Sequence, residues 1–206
     1  SEIEFATQFT KAITIGITGS NGKTTTTMLA YHLLKQGGLN VGLGGNIGKS
    51  FAWQVADENY DFYVLELSSF QLDGIIKFKP HIAIITNISP DHLDRYDYKY
   101  QNYIDSKFRI TMNQTEEDYL IYDADDEAIS NWLNNNKVKA QLIPFSITKQ
   151  LENGAYLNNN TMEININQEE FLMETSQIAL EGKHNMKNAM AATSVANILR
   201  IRKQTI

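Results

Sequence analysis

The sequence predicts an α/β protein: a mostly parallel sheet of the phosphate-loop type, flanked by helices, with a small antiparallel sheet appended. Three observations lead there. Short apolar, β-branched runs alternate with segments of helical periodicity over the first 150 residues, the pattern of βαβ units around a buried parallel sheet. A glycine-rich stretch, Thr18-Gly19-Ser20-Asn21-Gly22-Lys23-Thr24-Thr25, joins the first run to the first strongly periodic helix. After Leu151 the runs shorten and are separated by asparagine-rich turns, as in hairpins.

Taken in order, Ala12 to Thr18 is β-branched and closed by glycine, hence a buried strand. Met28, Leu29, Leu33 and Leu34 then recur at helical spacing until Gly37-Gly38 stops them. Further strands are predicted at Val41 to Leu43, Phe62 to Leu67, Ile82 to Thr86, Tyr119 to Tyr122 and Gln141 to Phe145. Between them lie helical patterns at Phe51 to Ala56, Tyr100 to Met112 and Glu127 to Leu133. The later strands are Ala155 to Leu157, Met162 to Ile166, Glu170 to Met173 and Ile178 to Leu180, and a last helix spans Asn185 to Arg200. One domain is expected: residues 1–150 as the parallel part, 151–182 as the small antiparallel sheet, 183–206 as a closing helix.

At 206 residues, with 42% hydrophobic and only 3 prolines, the chain can bury one substantial core. A net charge of −6 without clustered Lys and Arg argues against nucleic-acid and anionic-membrane partners. There is no cysteine, no apolar run of membrane-spanning length and no basic-then-apolar leader at the N-terminus. A cytoplasmic protein is expected. The start at Ser1 without Met and the end just after an apolar-periodic segment suggest an excised fragment or a processed chain.

The glycine-rich stretch fails the usual G-x-x-x-x-G-K-[ST] pattern, because Ile17 stands where the first glycine belongs. It nevertheless offers what a phosphate cradle needs: Gly19, Ser20, Asn21 and Gly22 supply backbone N–H groups at a helix N-terminus. Lys23 is placed to reach β- and γ-phosphates, and Thr24 to bind Mg²⁺. The bland alternative is a tight turn before an ordinary helix. Four successive threonines, Thr24 to Thr27, are a poor choice for helix stability alone.

Glu66 interrupts an apolar strand near its C-terminal end, where burial without a partner would be costly. Its partner is either a cation or a bound water, or it is paired with a lysine for structural reasons. The next strand runs into Asn87-Ile88-Ser89-Pro90-Asp91-His92-Leu93-Asp94-Arg95-Tyr96, a polar strand-to-helix loop of the kind that holds sites in α/β sheets. Spacing alone leaves His92 open as ligand, base or bystander. Guanine specificity is disfavoured, since Asn136-Lys137-Val138-Lys139 lacks the aspartate of an Asn-Lys-x-Asp element.

Together these stretches resemble the Mur ligase family, ATP-dependent amide-forming enzymes of peptidoglycan precursor synthesis, whose phosphate loop is the shorter T-G-[ST]-x-G-K-[ST]-[ST] form. Gly44-Gly45-Asn46-Ile47-Gly48, Leu65-Glu66-Leu67-Ser68-Ser69-Phe70-Gln71-Leu72 and Asp91 to Tyr96 are similar to the branch that joins D-glutamate to UDP-MurNAc-L-alanine. The resemblance implies ATP contacts at Gly19 to Thr25 and a first Mg²⁺ at Thr24 and Glu66. A second Mg²⁺ would lie at His92 and at Lys107, carried as a carbamate; without the resemblance Lys107 reads as a solvated helix residue. Asn46, Ser68 and Gln71 would face the UDP-muramoyl substrate. Asn185 and Asn188, in His184-Asn185-Met186-Lys187-Asn188-Ala189, would lie near adenine. The implied parent has three domains and acts as a monomer, with the central one present here and inactive alone. Competing readings are a P-loop kinase or ATPase on a small molecule, a folylpolyglutamate synthase-like ligase, and a nucleotide-binding module without turnover.

Overall fold

The structure, a computed structural model, describes residues 1–178 and 182–202. Nine strands form one sheet: β1 (Ile13–Thr18), β2 (Val41–Gly45), β3 (Phe62–Glu66), β4 (Ile82–Ile85), β5 (Tyr119–Asp123), β6 (Gln141–Ser146), β7 (Gly154–Asn158), β8 (Thr161–Ile166) and β9 (Glu169–Glu174). Their order is β2-β3-β1-β4-β5-β6-β7-β8-β9. Strand β1 therefore has β3 on one side and β4 on the other, both parallel to it. This is the crossover at which open α/β sheets leave a crevice beyond the strand C-termini.

The helices are α1 (Glu2–Ala6), α2 (Lys23–Gln36), α3 (Phe51–Asp57), α4 (Ser69–Asp73), α5 (Tyr100–Phe108), α6 (Glu127–Asn135) and α7 (Lys183–Ile198). Side-chain alternation along the strands divides the core in two. Ile15, Val64, Ile82, Ile84 and Ile121 pack with Leu34 of α2 and Met190 and Val195 of α7. Tyr63, Leu65, Ala83, Ile85 and Leu120 pack on the opposite side with α1 and α3 to α6. Buried on both faces, the parallel strands read as continuous apolar runs.

The appended antiparallel strands are present and continue the main sheet: β7 lies parallel to β6, with Phe145 opposite Ala155, and β7–β8 and β8–β9 are antiparallel. Ala155, Met162 and Ile164 consequently join the α2–α7 core, which is why the ribbon continues the main sheet. The helix expected to reach Met112 ends at Phe108 and tightens into a 3₁₀ turn, Arg109–Thr111. There Arg109 leaves the pattern to donate to the carbonyls of Leu72 and Ile75. The strand expected at Ile178 to Leu180 lies, beyond Ile178, outside the described residues.

Candidate functional site

The loop between β1 and α2 has a backbone that only glycine fits at two points. Gly19 adopts φ 147° and a Cβ there would sit 1.9 Å from Thr86 Oγ1; Gly22 adopts φ 81° and its Cβ would meet Asn188 Oδ1 at 2.5 Å. Both are left-handed conformations that side chains avoid. Residues 86 and 87, beyond β4, back the loop. Ser20 N–H donates to Asn87 O, and Asn21 N–H donates to Asn87 Oδ1. The carbonyl of Asn21 accepts from Thr86 Oγ1 at 2.7 Å and Asn87 Nδ2 at 2.8 Å.

Three of the four threonines that begin α2 hold side-chain hydrogen bonds. Thr24 Oγ1 donates to Glu66 Oε2 at 2.7 Å, Thr26 Oγ1 to Asn188 Oδ1 at 3.2 Å, and Thr27 Oγ1 to Lys23 O at 2.8 Å. Thr25 stands half-buried beside them. Lys23 turns back over the loop and donates to the carbonyls of Gly19 and Ser20, each at 2.9 Å. Its ammonium thus lies within the loop.

Glu66 is buried at the end of β3, in register between Ile17 of β1 and Gly45 of β2. Its second oxygen accepts from Asn46 Nδ2 at 2.8 Å, while Asn46 N–H donates to Glu66 O. Both side-chain partners are neutral donors, and among the described residues no lysine, arginine or histidine forms an ion pair with it. The lysine-paired alternative therefore fails. A buried carboxylate whose side-chain partners are neutral donors has the chemistry of a magnesium ligand.

Lys107 is 2% exposed, not solvated as its helical spacing alone suggested. It approaches from the opposite face of the sheet, on α5, and donates to Gly19 O at 2.9 Å with its ammonium 4.8 Å above the Tyr103 ring. Burial, reinforced by the charge of Lys23, draws its pKa down to about 7. The Tyr103 hydroxyl lies 3.1 Å from Ser20 Oγ, so α5 touches the loop twice.

The remaining predicted residues are less tightly gathered. His92 sits in a left-handed conformation with its side chain 53% exposed, 3.5 Å from Asp91 and against Phe70. Among the described residues no hydrogen bond joins it to Lys107 or Glu66, and no three His, Asp or Glu side chains cluster to hold a metal alone. Ser68 and Gln71 form a capping box at the start of α4. Asn46, read as facing substrate, has its amide on Glu66. Asn185 and Asn188 lie on the first turns of α7.

A cavity of about 580 Å³ opens beside the loop, lined by Asn21, Gly22, Thr86, Asp123, Lys187 and Asn188, among others. A larger groove, about 890 Å³, runs between α5 and α6 past Tyr100 and Trp132 and contains none of the predicted residues. The sequence reading overlooked Thr86, Tyr103 and the carboxylates Asp123, Asp125 and Asp126. Three acids at and directly after the end of a strand on the same sheet edge were the available signal.

Strand order, loop and buried strand-end carboxylate define an α/β protein of the phosphate-loop class. Within that class, the Mur ligase middle domain family matches residues 17–196, and the chain belongs to it. UDP-N-acetylmuramoylalanine–D-glutamate ligase of Christiangramia forsetii is 66% identical over all of this chain and 46% of that protein. The protein of the same name from Bacteroides fragilis is 53% identical over the same shares. The chain spans about half the length of the curated relatives it matches. A solved UDP-N-acetylmuramoyl-L-alanyl-D-glutamate–2,6-diaminopimelate ligase superposes over 95% of this chain and 45% of its own, with TM-score 0.74 and 21% identity, a likeness of fold.

Proposed function

We propose that the chain is the central, ATP-binding segment of a cytoplasmic, monomeric ligase that joins D-glutamate to UDP-MurNAc-L-alanine, with further domains on either side in the parent protein. The observation that carries this reading is the contact of Thr24 with the buried carboxylate of Glu66 beside a glycine loop holding Lys23. The likeness to D-glutamate ligases at 66% and 53% identity supports the choice of substrates. Among the described residues no helix is long and apolar enough to cross a membrane.

In the proposed reaction the alanyl carboxylate takes the γ-phosphoryl group of ATP and ADP leaves. The amine of D-glutamate then attacks the acyl phosphate, forming the amide as phosphate departs. Lys23 exchanges the Gly19 and Ser20 carbonyls for phosphate oxygens, and the N–H groups that open α2 orient the phosphoryl group, those of Ser20 and Asn21 being donated to Asn87. Thr24 and Glu66 would hold Mg²⁺, which supplies neutralisation of phosphate charge when bound. A lysine with a pKa near 7 is substantially neutral at physiological pH, the form that CO₂ carbamylates. That is the support for Lys107, with His92, as the second metal's ligands. Asn46, Ser68 and Gln71 are assigned to the muramoyl side, Asn185 and Asn188 to adenine.

The test compares the full-length parent with this chain alone. ADP release that depends on D-glutamate is expected from the parent and not from the isolated chain. A parent that turns over ATP equally without D-glutamate would refute the ligase reading and favour a small-molecule ATPase or kinase.

A further inference from the structure

The end of β5 and the turn after it carry Asp123, Asp125 and Asp126, whose carboxylates tie together several parts of the molecule. Asp126 Oδ2 accepts the N–H of Ile88, in the loop whose neighbouring Asn87 backs the phosphate loop, and its Oδ1 caps α6 at Ile129. Asp125 accepts from Ser146, Thr148 and the N–H of Ile147, fixing it to the end of β6. Asp123 and Asp125 then share Lys187 of α7, at 2.7 and 3.1 Å, with the lysine side chain 19% exposed and the carboxylates 4% and 9%.

The start of α7 gives this ion pair something to do. Its first turns carry Lys183, His184 and Lys187 and the first turn has no acid, although a helix N-terminus disfavours cations; its N-cap, Gly182, supplies no side-chain bond. Asp123 and Asp125 offset the first of these defects, the uncompensated positive charge, from outside the helix. The residue after Lys187 is Asn188, which accepts from Thr26 and lies where a Gly22 side chain would collide. One peptide bond therefore links the ion pair to a residue packed against the phosphate loop.

We infer that Lys187, clamped by Asp123 and Asp125, is a positioning residue for nucleotide: it fixes the first turns of α7 so that Asn188 holds Gly22 and Thr26 in the binding geometry. The inference rests on the nucleotide-binding reading above for its ligand, but not for the clamp itself. Burial favours loss of the Lys187 proton, yet Asp123 and then Asp125 hold its pKa above the usual lysine value. For Asp125, burial is outweighed by Ser146, Thr148, Ile147 and Lys187, which bring it down to about 2. Burial lifts the Asp123 carboxyl above its ordinary value despite Lys187, so Asp125 is the partner that keeps the clamp's negative charge.

The experiment uses this chain with Lys187→Met, Lys187→Arg and Asp125→Asn, and two readouts. One is the Kd for ATP with Mg²⁺, measured well below each variant's melting temperature; the other is amide exchange at residues 22–24 without nucleotide. Lys187→Met should raise Kd roughly tenfold, within the span usual for coupled sites, and speed exchange at residues 22–24 while leaving residues 193–197 protected. Lys187→Arg should restore most of both. A Lys187→Met variant with lowered melting temperature but unchanged Kd and exchange overturns the proposal. If the wild type binds no nucleotide, the functional reading falls, and exchange alone decides the clamp: unchanged protection at residues 22–24 overturns it. Should Lys187→Met not fold, Asp125→Asn decides by the same two readouts.

Discussion

Lys23 and Lys107 donate to one atom, the carbonyl oxygen of Gly19, each at 2.9 Å and from opposite faces of the sheet. Two ammonium groups on one carbonyl repel, and Lys107, being buried, yields more easily. Its pKa near 7 means the folded chain releases this proton while an unfolded chain keeps it to the ordinary 10.5. Between those values the unfolded state binds more protons, so stability rises with pH. Wild type should gain on Lys107→Met from about pH 7 to pH 10, by at most about 1.4 kcal/mol per pH unit. Paired denaturant titrations across that range check it; a constant difference would place the Lys107 titration elsewhere.

Glu66→Gln keeps the shape that Thr24 and Asn46 contact while removing the charge. The fold should persist, and the gain in ATP affinity that Mg²⁺ confers on the wild type should shrink by roughly 10- to 100-fold, the scale of losing even an outer-shell partner of a metal. Binding measured with and without Mg²⁺ decides this. An unchanged Mg²⁺ increment would remove Glu66 from the metal site.

Gly22→Ala forces an L side chain into φ 81° and against Asn188 Oδ1. The backbone alone should cost about 1–2 kcal/mol, with nucleotide affinity falling further because Asn188 must leave Thr26. Unfolding and binding measured on the same variant separate the two effects. A variant as stable as wild type would show that the loop relaxes freely.

Glu4, on α1, accepts the N–H groups of Ile76, Lys77 and Phe78. Burial tends to raise its pKa, but these bonds prevail and hold it below the ordinary 4.5. Stability from a depressed carboxylate is present above that ordinary value and lost as pH falls through the folded one. Glu4→Gln should destabilise by about 1.5–3 kcal/mol near neutrality, the gap closing in acid. A gap independent of pH would mean shape matters there, not charge.

Much of the molecule was legible because it depends on local pattern. Strand periodicity placed β1 to β6, the loop from Thr18 to Thr25 stood where a cradle belongs, and a lone acid in an apolar strand marked Glu66. What escaped depends on contacts distant in sequence. Lys107 looks solvated until Tyr103 and Gly19 close over it, 88 residues from its acceptor. Four threonines in a helix look unfavourable until Glu66 and Asn188 supply partners for Thr24 and Thr26. Nothing local in β7 reveals that it pairs parallel with β6 before the chain reverses. His92, conspicuous in sequence, is among the more exposed of the predicted residues.

Calorimetric titration of ATP with Mg²⁺ into this chain, beside Lys23→Ala, tests the central claim most directly. Saturable binding at one site is predicted for the wild type, and its loss is predicted in Lys23→Ala with folding retained. Absence of binding to the wild type, or equal affinity in Lys23→Ala, would contradict the assignment of the Thr18 to Thr25 loop as the cradle for ATP.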